Sequence, residues 1–114
     1  MAEYDKYLPE ILEALKSIKP LKIILIGSYA DGTVDKDSDL DLVIILDKTS
    51  ISKNYQEKMD NRLLVRRCIY EFSKMIPIDL IVYTKGEFQQ ITELGTSFYR
   101  EINSTGKILY EKAG

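Results

Sequence analysis

Two short apolar runs, separated by a polar turn that contains glycine, constrain the fold of this chain most strongly. The first run, 21–26, is rich in isoleucine, and the second is Leu40–Leu46. Each is typical of a buried strand. Gly27 breaks the first run, and Ser28 can cap a short helix that extends to about Gly32. The sequence therefore predicts a strand, a glycine-hinged turn and a second strand.

Two aspartates stand at the start of the second predicted strand. Asp39 and Asp41 are one residue apart, so their side chains point to the same face, with Cα atoms roughly 6.5 Å apart. Two carboxylates side by side repel each other unless a cation lies between them. Mg²⁺ prefers oxygen ligands and usually connects protein carboxylates to substrate phosphates. The local chemistry therefore indicates metal-assisted transfer from a nucleoside triphosphate.

The rest of the chain alternates between helical and strand patterns. Apolar residues at three- and four-residue steps predict an amphipathic helix from Tyr4 to Ile18, and a longer helix is predicted from Asn54 to Met75. A third strand, Ile78–Tyr83, contains Asp79 as its one charged residue. The predicted apolar stripe of the long helix consists of Leu64, Val65, Cys68, Ile69, Phe72 and Met75.

A capping signal follows the third strand. Thr84 and Glu87 have the spacing of a capping box, and Tyr83 and Phe88 have that of a hydrophobic staple. Alternating helices and strands predict an α/β (α+β) fold, with a small mixed sheet of three to four strands covered by helices. The remaining predicted elements are helical turns around Phe98, Tyr99 and Ile102, ending near Gly106, and a short edge strand at Ile108–Tyr110.

Length and composition narrow the possible functions. The 114 residues fit a single domain, 1–114, and the net charge of −2 gives no general attraction to nucleic acid. The absence of histidine excludes histidine acid–base catalysis and the usual histidine zinc sites. The single cysteine cannot form an internal disulfide, so we expect a cytoplasmic setting. No apolar run is long enough to suggest a membrane span.

The order of these residues resembles the signature of a known superfamily. Gly27-Ser28, ten intervening residues and Asp39-Leu40-Asp41 are similar to the motif of nucleotidyltransferases with the DNA polymerase beta-like fold. The chain looks like the minimal nucleotidyltransferases (MNT family), which consist of little more than the catalytic domain. Further positions that agree with that pattern are Ala30, Gly32, Ser38, Leu42, Asp79 and the ending Gly106-x-x-Leu109-Tyr110-Glu111.

The resemblance implies a role for each motif residue. Asp39 and Asp41 would bind two Mg²⁺ ions, and Asp79 would complete the catalytic metal site. Gly27 would let the main chain approach the phosphates of ATP, and Ser28 would contact the terminal phosphates. The implied reaction moves a nucleotide to a hydroxyl acceptor and releases pyrophosphate. The simpler interpretation makes Asp39 and Asp41 exposed loop acids, Asp79 a solvated strand end and Ser28 a plain helix cap.

The resemblance also implies a partner. Minimal members of the family typically occur beside a HEPN-domain toxin, a ribonuclease-type protein, and act as its antitoxin by transferring AMP from ATP to a toxin tyrosine. This makes a protein adenylyltransferase our first hypothesis, with no nucleic acid expected as direct substrate. One alternative is a non-catalytic module that neutralises its partner by contact. Another is nucleotidylation of a small molecule, with a partner chain completing the pocket.

Two surface features leave alternatives open. Lys58, Arg62 and Arg66 follow one another at four-residue steps, which is typical of a solvated helix face and also compatible with contacts to phosphate or RNA. The predicted edge strand at Ile108–Tyr110 offers a pairing surface for a second copy of the chain, so a homo-oligomer is possible.

Overall fold

A computed structural model describes residues 4–27 and 39–112 of the chain, with side chains described from Lys6 onward. Within these ranges, no helix has both the length and the apolarity needed to cross a membrane. The short helix expected to begin at Ser28 lies outside them. The elements are α1 (Tyr4–Lys16), β1 (Lys22–Ile26), β2 (Leu40–Leu46), α2 (Tyr55–Ser73), β3 (Ile78–Thr84), α3 (Lys85–Leu94), α4 (Ser97–Thr105) and β4 (Lys107–Glu111).

The strands form one mixed sheet in the order β3-β2-β1-β4. Strand β1 is antiparallel to both of its neighbours, β2 and β4, whereas β2 and β3 are parallel. The parallel pair is joined through α2, because parallel neighbours need a crossover connection. The predicted mixed sheet covered by helices is confirmed.

Both faces of the sheet are covered, and β2 lies between the two layers. The even-numbered side chains of β2 pack with α1 and α2, while Val43 and Ile45 pack on the other face with α3 and α4. Every residue of β2 is buried except Asp41, which is half-buried. A central strand covered on both faces is normally apolar throughout, so Asp41 is a polar exception in the core strand.

The apolar stripe predicted for the long helix is partly wrong. Val65 and Ile69 are buried as expected, and Cys68 packs partly buried against the same core. Leu64 is 39% exposed and Met75 is 51% exposed. Leu64 lies about 100° around the helix axis from its buried neighbour, Val65. Met75 follows the end of α2, where helical spacing no longer applies.

The predicted capping box at the start of α3 is confirmed. The Glu87 N–H donates to Thr84 Oγ1 at 3.1 Å, and the Thr84 N–H donates to Glu87 Oε1 at 2.9 Å. The rings of Tyr83 and Phe88 lie 6.3 Å apart, as the staple requires. The Ser52 N–H donates to the second carboxylate oxygen of Glu87 at 3.3 Å. Glu87 therefore connects the loop after β2 to α3.

These contacts change the acidity of Glu87. Burial alone would raise the pKa of this carboxyl, but the hydrogen bonds from Thr84 and Ser52, together with the charge of Lys58, lower the pKa below its ordinary range. A carboxyl whose pKa is lower in the folded state stabilises the fold above its unfolded-state pKa. That stabilisation is lost as the pH falls through the folded-state pKa.

We predict that Glu87→Gln lowers the free energy of unfolding at pH 7 by about 1 kcal/mol, because an amide offers one acceptor where the carboxylate offers two. The difference from the unmodified chain should shrink below about pH 4.5, the ordinary pKa of this group. Urea unfolding followed by circular dichroism at several pH values measures both effects. The matched control is Glu93→Gln, at an exposed position on the same helix; an equal loss there would contradict the prediction.

Candidate active site

The parallel pairing of β2 and β3 brings two of the predicted site residues together. Asp41 is the register partner of Asp79, and paired residues of neighbouring strands point to the same face of a sheet. Asp39 comes two residues before Asp41, immediately ahead of β2. Asp39 and Asp79 are exposed, while Asp41 is half-buried. Asp79 therefore lies on the Asp41 face of the sheet, as the hypothesis of a shared site requires.

Glu101 is a fourth carboxylate of the site, and it was not predicted from the sequence. Burial raises the pKa of Asp41, and the negative charges of Asp79, Asp39 and Glu101 raise it further, in that order. Glu101 belongs to α4, beside Ile102, which packs on the Asp41 face of the sheet. We call Asp39, Asp41, Asp79 and Glu101 the acidic set. No sequence motif marks Glu101, because its position depends on how α4 packs.

Gly27 closes one side of this site. It follows β1 with φ of +78°, in the left-handed region that favours glycine. A Cβ built at this position would overlap the Asp41 carboxylate at Oδ2. The main chain therefore passes directly beside Asp41, in agreement with the close approach expected of Gly27. Ser28, predicted to contact phosphates, lies outside the described residues.

The acidic set suits a magnesium ion that also takes ligands from substrate and water, rather than an ion enclosed by protein ligands alone. Among residues 4–27 and 39–112, no three histidine, cysteine, aspartate or glutamate side chains are assembled as a ready metal site. Mg²⁺ is commonly held by one or two carboxylates, with water and substrate phosphates supplying the other ligands. The adjacent pair Asp41–Asp79 offers oxygen donors only, and its mutual repulsion would be relieved by a cation. These residues fit such a shared site.

Comparison with known proteins identifies the family. The model of the family described as "Nucleotidyltransferase domain" matches residues 8–94 of the chain. This chain belongs to the nucleotidyltransferase domain family. The matched segment includes Gly27, Asp39, Asp41 and Asp79, whereas Glu101 lies beyond it.

Relatives agree with this assignment. A protein of Methanocaldococcus jannaschii, provisionally named a protein adenylyltransferase, is 32% identical over 111 residues, which cover 93% of this chain and 97% of the relative. A crystal structure described as a provisional nucleotidyltransferase from Sulfolobus solfataricus has a TM-score of 0.60 at 20% identity, covering 94% of this chain and 79% of that one. A crystal structure described as a toxin–antitoxin with AMP-PNP has a TM-score of 0.58 at 18% identity, covering 91% and 73% respectively. The two structures show that the fold is shared.

We predict that Asp79→Asn lowers the pKa of Asp41, because it removes the negative charge that raises this pKa most strongly. Carboxyl-detected NMR titration of Asp41 measures the change. The matched control is Asp47→Asn, which removes a carboxylate that is paired instead with Lys112 at 2.8 Å. An unchanged Asp41 titration in Asp79→Asn, or the same change in Asp47→Asn, would show that the two carboxylates do not interact.

We also predict that Gly27→Ala destabilises the fold by more than Gly95→Ala does. Both glycines have positive φ, +78° and +61°, so each alanine incurs the left-handed backbone cost of about 1–2 kcal/mol. Only at Gly27 would the new methyl group also meet Asp41; the space around Gly95 is open. Equal losses of unfolding free energy in thermal or urea denaturation would argue against the close contact between Gly27 and Asp41.

Proposed function

We propose that this chain is a magnesium-dependent enzyme that transfers AMP from ATP to a hydroxyl group of a partner protein and releases pyrophosphate. The observation that carries the proposal is the pairing of Asp41 with Asp79 beside the glycine corner at Gly27. Membership of the nucleotidyltransferase domain family supports the reaction type. The relative named as a protein adenylyltransferase, matched along 97% of its length, supports a protein as the acceptor.

In this proposal the residues of the site share the work of binding metal, binding phosphate and adding negative charge. Asp39, Asp41 and Asp79 would hold two magnesium ions, whose bound charge would favour ionisation of the attacking hydroxyl and neutralise the leaving pyrophosphate. Gly27 keeps side-chain atoms away from the Asp41 carboxylate, and Ser28 would offer its hydroxyl and amide to the terminal phosphates. Glu101 adds negative charge that strengthens the attraction of the site for cations.

The covalent step is an in-line displacement at the α-phosphorus of ATP. The acceptor oxygen forms a new bond to phosphorus while the bond to the pyrophosphate oxygen breaks, and the acceptor proton passes to a carboxylate of the site. Asp79 is exposed and is the residue that we assign to receive that proton. Positioning and charge neutralisation account for most of the rate enhancement in phosphoryl-transfer chemistry.

For the acceptor we propose a tyrosine of a HEPN-domain toxin, which makes this chain the antitoxin. The resemblance to the minimal nucleotidyltransferases leads to this choice. It is supported by the common fold of this chain and the crystal structure described as a toxin–antitoxin with AMP-PNP. Transfer of AMP to the toxin would add a bulky anionic group to the tyrosine and so silence it.

We predict that Asp41→Asn reduces transfer of label from α-labelled ATP to the toxin by roughly 100-fold or more, because loss of a metal-binding carboxylate removes several kcal/mol of transition-state stabilisation. The assay combines the purified chain, magnesium, labelled ATP and a purified HEPN-domain protein as the candidate acceptor, with mass spectrometry to locate the modified residue. Asp47→Asn is the matched control and should leave transfer unchanged, since Asp47 pairs with Lys112 away from the acidic set.

The same assay distinguishes the competing functions. A stable complex without label transfer, insensitive to Asp41→Asn, would overturn the proposal in favour of a non-catalytic binding module. Pyrophosphate release with small hydroxyl compounds but with no protein acceptor would favour small-molecule nucleotidylation. Transfer that persists after magnesium is removed with a chelator would contradict the assigned metal site.

A further inference from the structure

A groove follows the outer edge of β3 and lies apart from the acidic set. Its volume is about 490 Å³, and it runs between α2 and α3 with Leu80–Tyr83 along its floor. Lys58 and Arg62 of α2 contribute to one wall, and Ile91 of α3 contributes to the other. We call this space the edge groove. None of the four carboxylates of the acidic set lines it.

The floor of the edge groove is an open strand edge. Strand β3 stands at the end of the sheet, and within the described residues its pairing partner is β2 alone. The main-chain N–H and C=O groups on the far side of such a strand can accept another strand. The helices α2 and α3 pack on opposite faces of the sheet, so they form a slot around this edge that admits an extended segment.

The α2 side of the slot is positively charged. Lys58 and Arg62 line the edge groove, and Arg66 joins Arg62 in a smaller cavity beside Ile78 and Leu80. In the ranges 4–27 and 39–112, these three cations form no ion pair with a carboxylate. Among the described residues that line the edge groove, Glu87 is the acidic one. Its oxygens accept the N–H groups of Thr84 and Ser52, and the charge of Lys58 also stabilises its ionised form.

Apolar side chains complete the slot. Ile51 and Tyr55 lie at the groove and are 45% and 76% exposed. On the α3 side, Tyr83 of the floor and Ile91 of the wall present further apolar surface. Exposed apolar side chains clustered around an open strand edge are typical of a surface that binds another protein.

We propose that the edge groove binds an extended acidic segment of a partner protein, which adds to β3 as a fifth strand of the sheet. Side chains of an added strand alternate between the two faces. Acidic residues at every second position would face Lys58, Arg62 and Arg66, and the apolar residues between them would face Tyr83 and Ile91. This docking function is separate from the proposed nucleotide transfer and does not depend on it.

The test uses a fluorescently labelled peptide of alternating glutamate and valine. We expect saturable binding by fluorescence anisotropy that weakens as salt is raised. Arg62→Glu and Lys58→Glu should each weaken binding about tenfold, a loss of about 1.4 kcal/mol. The matched control is Arg67→Glu, an exposed site on the same helix that lines neither the edge groove nor the cavity beside it; this variant should bind as the unmodified chain does.

Hydrogen exchange locates the bound peptide on the sheet, and two further peptides test how it binds. Bound peptide should protect the amides of β3, 78–84, and leave those of the other edge strand, 107–111, unchanged. The same peptide N-methylated at every amide should lose most of its affinity, because it has no N–H group left to donate to the C=O groups of β3. A peptide of alternating lysine and valine should not bind.

Several results would overturn the proposal: no binding, protection of β4 instead of β3, equal binding of the N-methylated peptide, or equal loss in Arg67→Glu. Binding of a short single-stranded RNA, abolished by Arg62→Glu in the absence of peptide binding, would assign the cations to nucleic acid instead. The Asp41→Asn variant should bind the peptide with unchanged affinity. Failure of nucleotide transfer can therefore be distinguished from failure of peptide docking. Circular dichroism and melting curves are the check that each charge-reversal variant is folded.

Discussion

The parallel pairing of β2 with β3 is the contact on which the rest of the molecule depends. It buries an almost entirely apolar strand between two helical layers, and the same register aligns Asp41 with Asp79. A one-residue slip would turn every side chain of β2 to the opposite face. Val43 and Ile45 would then leave their core, and Asp41 would be directed into the layer formed by α1 and α2. Burial of the strand and placement of the carboxylates are therefore fixed together.

The same register also brings like charges close together, which is unfavourable. Asp41 is half-buried near three other carboxylates, and its pKa is raised as a result. The apolar side chains on both sides of Asp41 keep it close to the other carboxylates, because the strand cannot move without exposing those apolar side chains. Such concentrated like charge is common at sites that bind cations or perform chemistry. In the function that we propose, a magnesium ion bound between these carboxylates would relieve their mutual repulsion.

Local patterns in the sequence were sufficient to predict much of this architecture. The bounds of β2, the capping box at Thr84 and the position of Asp79 near the start of β3 all follow from short-range rules about periodicity and hydrogen bonding. Glu101 and the edge groove were missed because they arise where elements distant in sequence pack together. The exposure of Leu64 and Met75 was missed for a related reason. Apolar character at helical spacing does not show where the covering sheet ends, or that α2 stops at Ser73.

The connection from β2 to β3 has a consequence for how relatives can diverge. Helix α2 joins the strand bearing Asp41 to the strand bearing Asp79, and its outward residues also form a wall of the edge groove. Its inward residues, Val65 and Ile69, anchor it to the sheet. If the edge groove binds a partner as we propose, surface substitutions on this one crossover would change which partner is bound and leave the strands that carry Asp41 and Asp79 unaltered. Partner binding and the proposed chemistry would then depend on separate parts of one βαβ unit, so each could diverge independently.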